Sequence, residues 1–176
     1  MKTNIALIGF MGTGKTAVGC ALAEKLGRQF VEMDSLIEQK ASKSIADIFQ
    51  QDGEIAFREL EIEVAREVAQ GNNLVIACGG GVILNKINID RLKEGARVVY
   101  LVASPSVILK RVLKGGEKRP LMNVPDRAVA IRELLEFRKP FYERAADITI
   151  DTSNLDIDAV AEQIINKLKQ DESFNI

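Results

Sequence analysis

One glycine-rich octapeptide, Gly9-Phe10-Met11-Gly12-Thr13-Gly14-Lys15-Thr16, constrains this chain more than any other segment. It carries the G-x-x-x-x-G-K-[ST] spacing of a phosphate-cradling P-loop, and its flanks suit that role. Residues 3–8 in front (Thr-Asn-Ile-Ala-Leu-Ile) read as a short buried strand. Residues 16–26 behind it read as a helix with apolar positions at Val18, Leu22 and Leu26. Strand, glycine loop and helix together aim successive backbone N–H groups and a positive helix N-terminus at a polyphosphate. The expected nucleotide contacts are therefore Gly12, Thr13, Gly14, Lys15, Thr16 and Ala17. Lys15 would reach the β- and γ-phosphates of ATP, and the Thr16 hydroxyl would ligate Mg²⁺. An ordinary glycine turn beside an exposed lysine would not need every fixed position in this context.

A length of 176 residues, with 47% hydrophobic and 28% charged residues, fits a single globular domain with a full core. The net charge of −1 gives no general attraction to nucleic acid or anionic membrane, so neither is expected as a partner. No apolar run is long enough to span a bilayer, and Lys2 leads straight into the first strand without a signal-peptide pattern. A cytoplasmic monomer is the expectation. There is no histidine, which excludes Ser-His-Asp and histidine–metal schemes and leaves the chemistry to carboxylates, lysines and arginines. Cys20 and Cys78 lack metal-ligand spacing and are expected to pack as small apolar residues.

Five β-like runs, at about 4–9, 29–33, 73–78, 97–102 and 147–151, alternate with helical stretches. The helices are predicted at 15–26, 34–42, 45–51, 54–70, 86–94, 105–113, 126–144 and 155–170. Nearly continuous apolar strands separated by helices predict an α/β fold with a parallel sheet covered on both faces. Residues 114–125, rich in Gly, Pro and charge, are too polar for core and suggest a mobile flap; residues 171–176 read as a frayed tail. Open parallel sheets bind ligands at the carboxyl ends of their strands. Here the first strand delivers the P-loop there, the second Glu32 and Asp34, and the third Gly79-Gly80-Gly81.

Glu32 and Asp34 lie two apart at the end of an extended run, so both carboxylates can point one way. One would support Mg²⁺ through water and the other orient an acceptor hydroxyl, although Asp34 is also placed to cap the helix that follows. Three consecutive glycines are costly in chain entropy and most useful where a ligand lies flat on backbone. Arg58, four residues after Glu54, and Arg138, just before a Pro140 that should end or kink its helix, both read as solvated ion-pairing residues. Arg119, on the flap, is better placed to neutralise a transferring phosphoryl group.

The chain resembles the shikimate kinases, of the nucleoside-monophosphate-kinase-like P-loop group, over about residues 4–165. The likeness is carried by the P-loop, by Met33-Asp34-Ser35-Leu36-Ile37-Glu38, by Gly53-Glu54 through Phe57-Arg58, by Cys78-Gly79-Gly80-Gly81-Val82, by Arg119-Pro120-Leu121, and by Arg138-Lys139-Pro140-Phe141-Tyr142. The resemblance implies a three-layer fold with a five-stranded parallel sheet in the order 2-3-1-4-5, a substrate-binding segment at about 34–62 and a lid at 114–125. It implies γ-phosphoryl transfer from MgATP to the 3-hydroxyl of shikimate. Asp34 would bind the shikimate hydroxyls and assist the attacking one. Arg58, held by Glu61, and Arg138 would bind its carboxylate, with Gly80 and Gly81 lining the ring. Arg119 would sit on the ATP phosphates and Arg111 would stack on adenine, while Thr16 and Glu32 would serve the metal. The ion-pair reading of Arg58 and Arg138 gives way to this one. The pattern departs from the family's in two places: Glu32 stands where Asp is usual, and the stretch from Arg111 to Arg119 is one residue longer. Kinases of another small polyol acid such as gluconate, or of a nucleoside monophosphate, are the rival enzymes; a non-catalytic ligand-binding homologue is the rival from another class.

Overall fold

The computed structural model describes residues 1–115 and 125–176. Its five strands, β1 (Asn4–Ile8), β2 (Gln29–Glu32), β3 (Leu74–Ala77), β4 (Ala96–Val102) and β5 (Ile148–Asp151), form one parallel sheet in the order β2-β3-β1-β4-β5. The helices are α1 (Lys15–Leu26), α2 (Met33–Ala41), α3 (Ile45–Asp47), α4 (Gly53–Ala69), α5 (Lys86–Gly95), α6 (Pro105–Lys114), α7 (Arg127–Ala145) and α8 (Ile157–Lys169). The 2-3-1-4-5 sheet implied by the family resemblance is thus the observed one.

Alternation along β1 divides the core into two. Ile5 and Leu7 face one side of the sheet with Val99 and Leu101, packed by Val18 and Leu22 of α1 and by Val160, Ile164 and Leu168 of α8. Ala6 and Ile8 face the other side with Ile76, Val98 and Tyr100, under Ile37 of α2, Val64 of α4, Leu92 of α5, Ile108 of α6 and Tyr142 of α7. Every β1 residue is buried, as a central strand between two helical layers requires.

Helix α7 matches the predicted 126–144 and continues past Pro140; the proline forfeits one i→i−4 hydrogen bond, but Ile131 on one side of it and Tyr142 and Ala145 on the other are buried and hold the helix together. Three expectations are corrected. The segment predicted as one helix over 45–51 is a single α-turn, α3, continued by a π-helical turn at Ile48–Asp52. Cys20 is exposed, whereas Cys78 is buried as expected and its thiol is pushed up to about 12 by that burial. The C-terminal residues are docked, not frayed. Lys2 N–H donates to Ser173 O (3.0 Å) and Asn175 N–H to Lys2 O (2.9 Å), which adds the tail beside the N-terminus. Phe174 is buried beneath the Arg28 guanidinium, 5.0 Å from its ring centroid, and Arg97 pairs with Asp171. One aromatic anchor and two arginines outweigh the polar composition that suggested fraying. The tail, however, lies at the amino ends of the strands, opposite the site.

Candidate active site

The P-loop leaves β1 through a backbone that only glycine tolerates at its tightest point. Gly9 has φ +153°, and a Cβ there would lie 2.5 Å from the Leu101 carbonyl oxygen. Gly14, left-handed at φ 95°, is the N-cap of α1, so the helix starts with its first N–H groups open to the cleft. The Lys15 ammonium folds over the loop and donates to Gly9 O (2.8 Å) and Phe10 O (3.0 Å). Thr13 is turned inward, its hydroxyl bonded to Phe10 O at 2.8 Å, and so contributes shape to the loop rather than a side chain to the cleft. Gly12, Gly14, Lys15, Thr16 and Ala17 all line a cleft of about 940 Å³ that continues past Glu32 and Asp34 to Gly79–Gly81 and Arg138.

The two carboxylates divide their work. Glu32 ends β2 and accepts from the Thr16 hydroxyl (2.5 Å) through one oxygen and from the Ser35 hydroxyl (3.0 Å) through the other. Asp34 sits in the first turn of α2, not on the strand, and does not cap it: the N-cap position is Glu32, without a side-chain capping bond. Instead Asp34 faces the triple glycine. A Cβ on Gly79 would lie 2.9 Å from Asp34 Oδ1 and 3.2 Å from Glu61 Oε2, so this glycine lets two carboxylates approach one backbone point. Burial pushes the Glu61 carboxyl above its ordinary range, against the pull of the Arg58 guanidinium, and the charge of Asp34 adds to the push.

Neither arginine is a solvated surface residue. Arg58 does pair with Glu54 (3.1 Å), but its other nitrogen donates to Glu61 (3.0 Å), whose side chain is only 1% exposed. The Arg58 guanidinium then lies against Gly81, where a Cβ would overlap Nη1. Arg138 is 2% exposed, lies 5.9 Å over the Phe10 ring, and brings Nη1 to 3.4 Å from the position a Gly80 Cβ would take. Two cations thus converge on adjacent glycines from α4 and α7. Arg58 is balanced by Glu54 and Glu61, whereas no ion pair of the described residues holds Arg138; two planar guanidiniums so placed are suited to an anionic group and in particular to a planar carboxylate.

Arg111 lies outside the cleft lining. It donates to Gly12 O (3.1 Å), Thr152 Oγ1 (3.2 Å) and Thr152 O (3.0 Å), tying α6 and the end of β5 to the P-loop. Arg119 and nearly all of the 114–125 flap fall outside the described residues. Sequence reasoning passed over Ser35 and Thr152, because a single hydroxyl signals nothing until its partner is known. Among the described residues no cluster of three or more acidic or cysteine side chains is arranged to hold a metal ion. Nor is any helix among them long and apolar enough to cross a membrane.

Residues 11–169 match the sequence profile of the shikimate kinase family. The shikimate kinase of Caldanaerobacter subterraneus subsp. tengcongensis is 48% identical over 162 residues, covering 92% of this chain and 94% of that protein. That of Symbiobacterium thermophilum is 43% identical over 168 residues, covering 95% and 97%. Among solved structures, the shikimate kinase of Acinetobacter baumannii, in complex with shikimate, superposes with a TM-score of 0.93 at 37% identity, covering 98% of this chain and 96% of that one. The P-loop, the paired arginines and the triple glycine lie at one end of a 2-3-1-4-5 sheet, the likeness spans nearly the whole chain in sequence and fold, and the chain belongs to the shikimate kinase family.

Proposed function

We propose that this chain transfers the γ-phosphoryl group of ATP to the 3-hydroxyl of shikimate, yielding shikimate 3-phosphate and ADP. The observation that carries the reading is the convergence of Arg58 and Arg138 on Gly80 and Gly81, beside Asp34 and across the cleft from Lys15. The arginines bind the shikimate carboxylate and the glycines lie against its ring. Held at that end, the acid presents its hydroxyls to Asp34, which accepts the proton of the 3-hydroxyl as its oxygen bonds to the γ-phosphorus and the bond to the β-phosphate oxygen breaks. Lys15 leaves its loop carbonyls for the β- and γ-phosphates, and Arg119 adds a second cation there. Arg111, fixed beside the P-loop, flanks the adenine. Catalysis is then positioning plus charge stabilisation, as phosphoryl transfer demands. A nucleoside monophosphate has no carboxylate for the arginine pair, and gluconate, which has one, has no rigid ring to lie on Gly80 and Gly81.

The residues present fit a magnesium ion. Thr16 donates its hydroxyl hydrogen to Glu32, which leaves the oxygen lone pairs for a cation, and the doubly bonded Glu32 carboxylate lies where it would hold the ion's water. When bound, magnesium neutralises charge on the β- and γ-phosphates. Thr16 is accordingly assigned as the direct protein ligand and Glu32 as the support. Glu32→Ala should raise the magnesium concentration for half-maximal rate by about tenfold, with the shikimate KM changed less. Glu32→Asp should be tolerated, and Asp34→Ala should collapse turnover even at saturating magnesium. Magnesium titrations of the three variants check this; an unchanged dependence in Glu32→Ala would leave Glu32 as a strand-end surface charge. The transfer itself is tested by proton-coupled ³¹P NMR of the product. The phosphorus should couple to the proton on C3 of shikimate; coupling at another carbinol position, or no phosphorylated acid, would refute the proposal.

A further inference from the structure

We propose that Tyr142 is a positioning residue for the acid-binding end of the cleft: its hydroxyl fixes the Gly80–Gly81 peptide and, with it, the seat of Arg138. This rests on the functional reading above and assigns a residue to it that does not touch the ligand. Tyr142 is fully buried, and its Oη donates to the Gly80 carbonyl oxygen at 2.5 Å. The ring cannot drift, because it stacks on Tyr100 of β4 with centroids 4.9 Å apart and an interplanar angle of 15°. A trans peptide directs its C=O and N–H to opposite sides. With the Gly80 carbonyl drawn down to Tyr142 in the core, the Gly81 N–H is held towards the cleft floor, which Gly80 and Gly81 line and Tyr142 does not. The hydroxyl therefore sets the direction of a donor that a ligand oxygen meets.

The same side chain sits one helical turn after Arg138 on α7, so the two share a face. Arg138 Nε is buried without a hydrogen-bond partner, and no ion pair among the described residues includes Arg138, whereas Arg58 pairs with Glu61. What confines it is the wall of Phe10, Gly80 and Tyr142. Burial pushes the Tyr142 hydroxyl well above its ordinary range, so it remains a donor at all working pH values. The arrangement gives each arginine its own holder: a buried carboxylate for Arg58 and a buried phenol, acting through Gly80, for Arg138. The phenol is neutral, so it holds Arg138 without forming an ion pair to it.

Tyr142→Phe keeps the ring, its volume and the stack on Tyr100, and removes only the hydroxyl. The expected result is a rise of about tenfold in the shikimate KM, the effect of one lost hydrogen bond to a buried carbonyl. The ATP KM should stay within twofold of wild type, and the melting temperature should change by a few degrees at most. Tyr100→Phe, which removes a hydroxyl from the same stack without touching Gly80, should leave both KM values unchanged. In the ligand-free protein, ¹⁵N NMR should show faster exchange of the Gly81 amide and a shifted Arg138 Nε–H signal in Tyr142→Phe only. A wild-type shikimate KM in Tyr142→Phe, or equal effects in the two variants, would overturn the proposal and reduce Tyr142 to core packing. If the wild-type enzyme ignores shikimate, the functional reading fails alone. The ligand-free spectra then still decide whether Tyr142 holds the peptide, and unchanged Gly81 and Arg138 signals refute it.

Discussion

Lys15→Met should lose turnover by a factor of about 10²–10³ while keeping its fold. The ammonium supplies positive charge where negative charge is redistributed during transfer, and loss of such a group raises the barrier by on the order of 3–4 kcal/mol. The structural cost is smaller. Without ligand, Lys15 Nζ bonds two P-loop carbonyls, Gly9 O and Phe10 O, and each such bond contributes about 0.5–1.5 kcal/mol net to stability. Methionine retains most of the apolar stem, so the melting temperature should fall by a few degrees at most. The two effects separate in a single preparation: kcat from ADP release, stability from thermal unfolding. A folded variant with near-normal kcat would remove the P-loop from the reaction.

Arg138→Lys should damage catalysis almost as severely as Arg138→Ala. Lysine preserves the charge, yet it lacks the planar fork that grips a carboxylate through two parallel bonds. Arg138 is buried between Phe10, Gly80 and Tyr142, and a mismatched partner for a desolvated charge costs about 2–5 kcal/mol. A fall of about a hundredfold or more in kcat/KM for shikimate follows, with the ATP KM little changed. Arg58→Ala should give the same pattern, since both guanidiniums are proposed to bind one carboxylate. Steady-state kinetics with each substrate varied separately provides the check. A lysine variant with wild-type shikimate kinetics would contradict carboxylate binding at this position.

What could be read from the residues was what short-range physics determines. The strand, loop and helix around the P-loop are contiguous, and their periodicity is set by nearest neighbours. The five strands likewise announce themselves as apolar runs, and all five lie within about one residue of their expected positions. Arg58 shows where such reasoning stops. Its i,i+4 partner Glu54 is real, but the decisive neighbours are the buried Glu61 and the backbone of Gly81, brought there by the packing of α4 on the sheet. Only the family resemblance paired Arg58 with Glu61, as the structure does. The remaining misses are of the same kind. The tail was judged by its polarity when Phe174 and two arginines anchor it. Ser35 on Glu32 and Tyr142 on Gly80 are hydrogen bonds whose partners no spacing rule connects.

The identity of the acceptor tests the whole account most directly. Coupled ADP release should be measured with shikimate, gluconate, a nucleoside monophosphate and no acceptor, side by side, at saturating MgATP. The arginine pair backed by Gly80 and Gly81 predicts turnover with shikimate at least about a hundredfold above the other three. Equal rates with all four, or a preference for gluconate or the nucleotide, would contradict it.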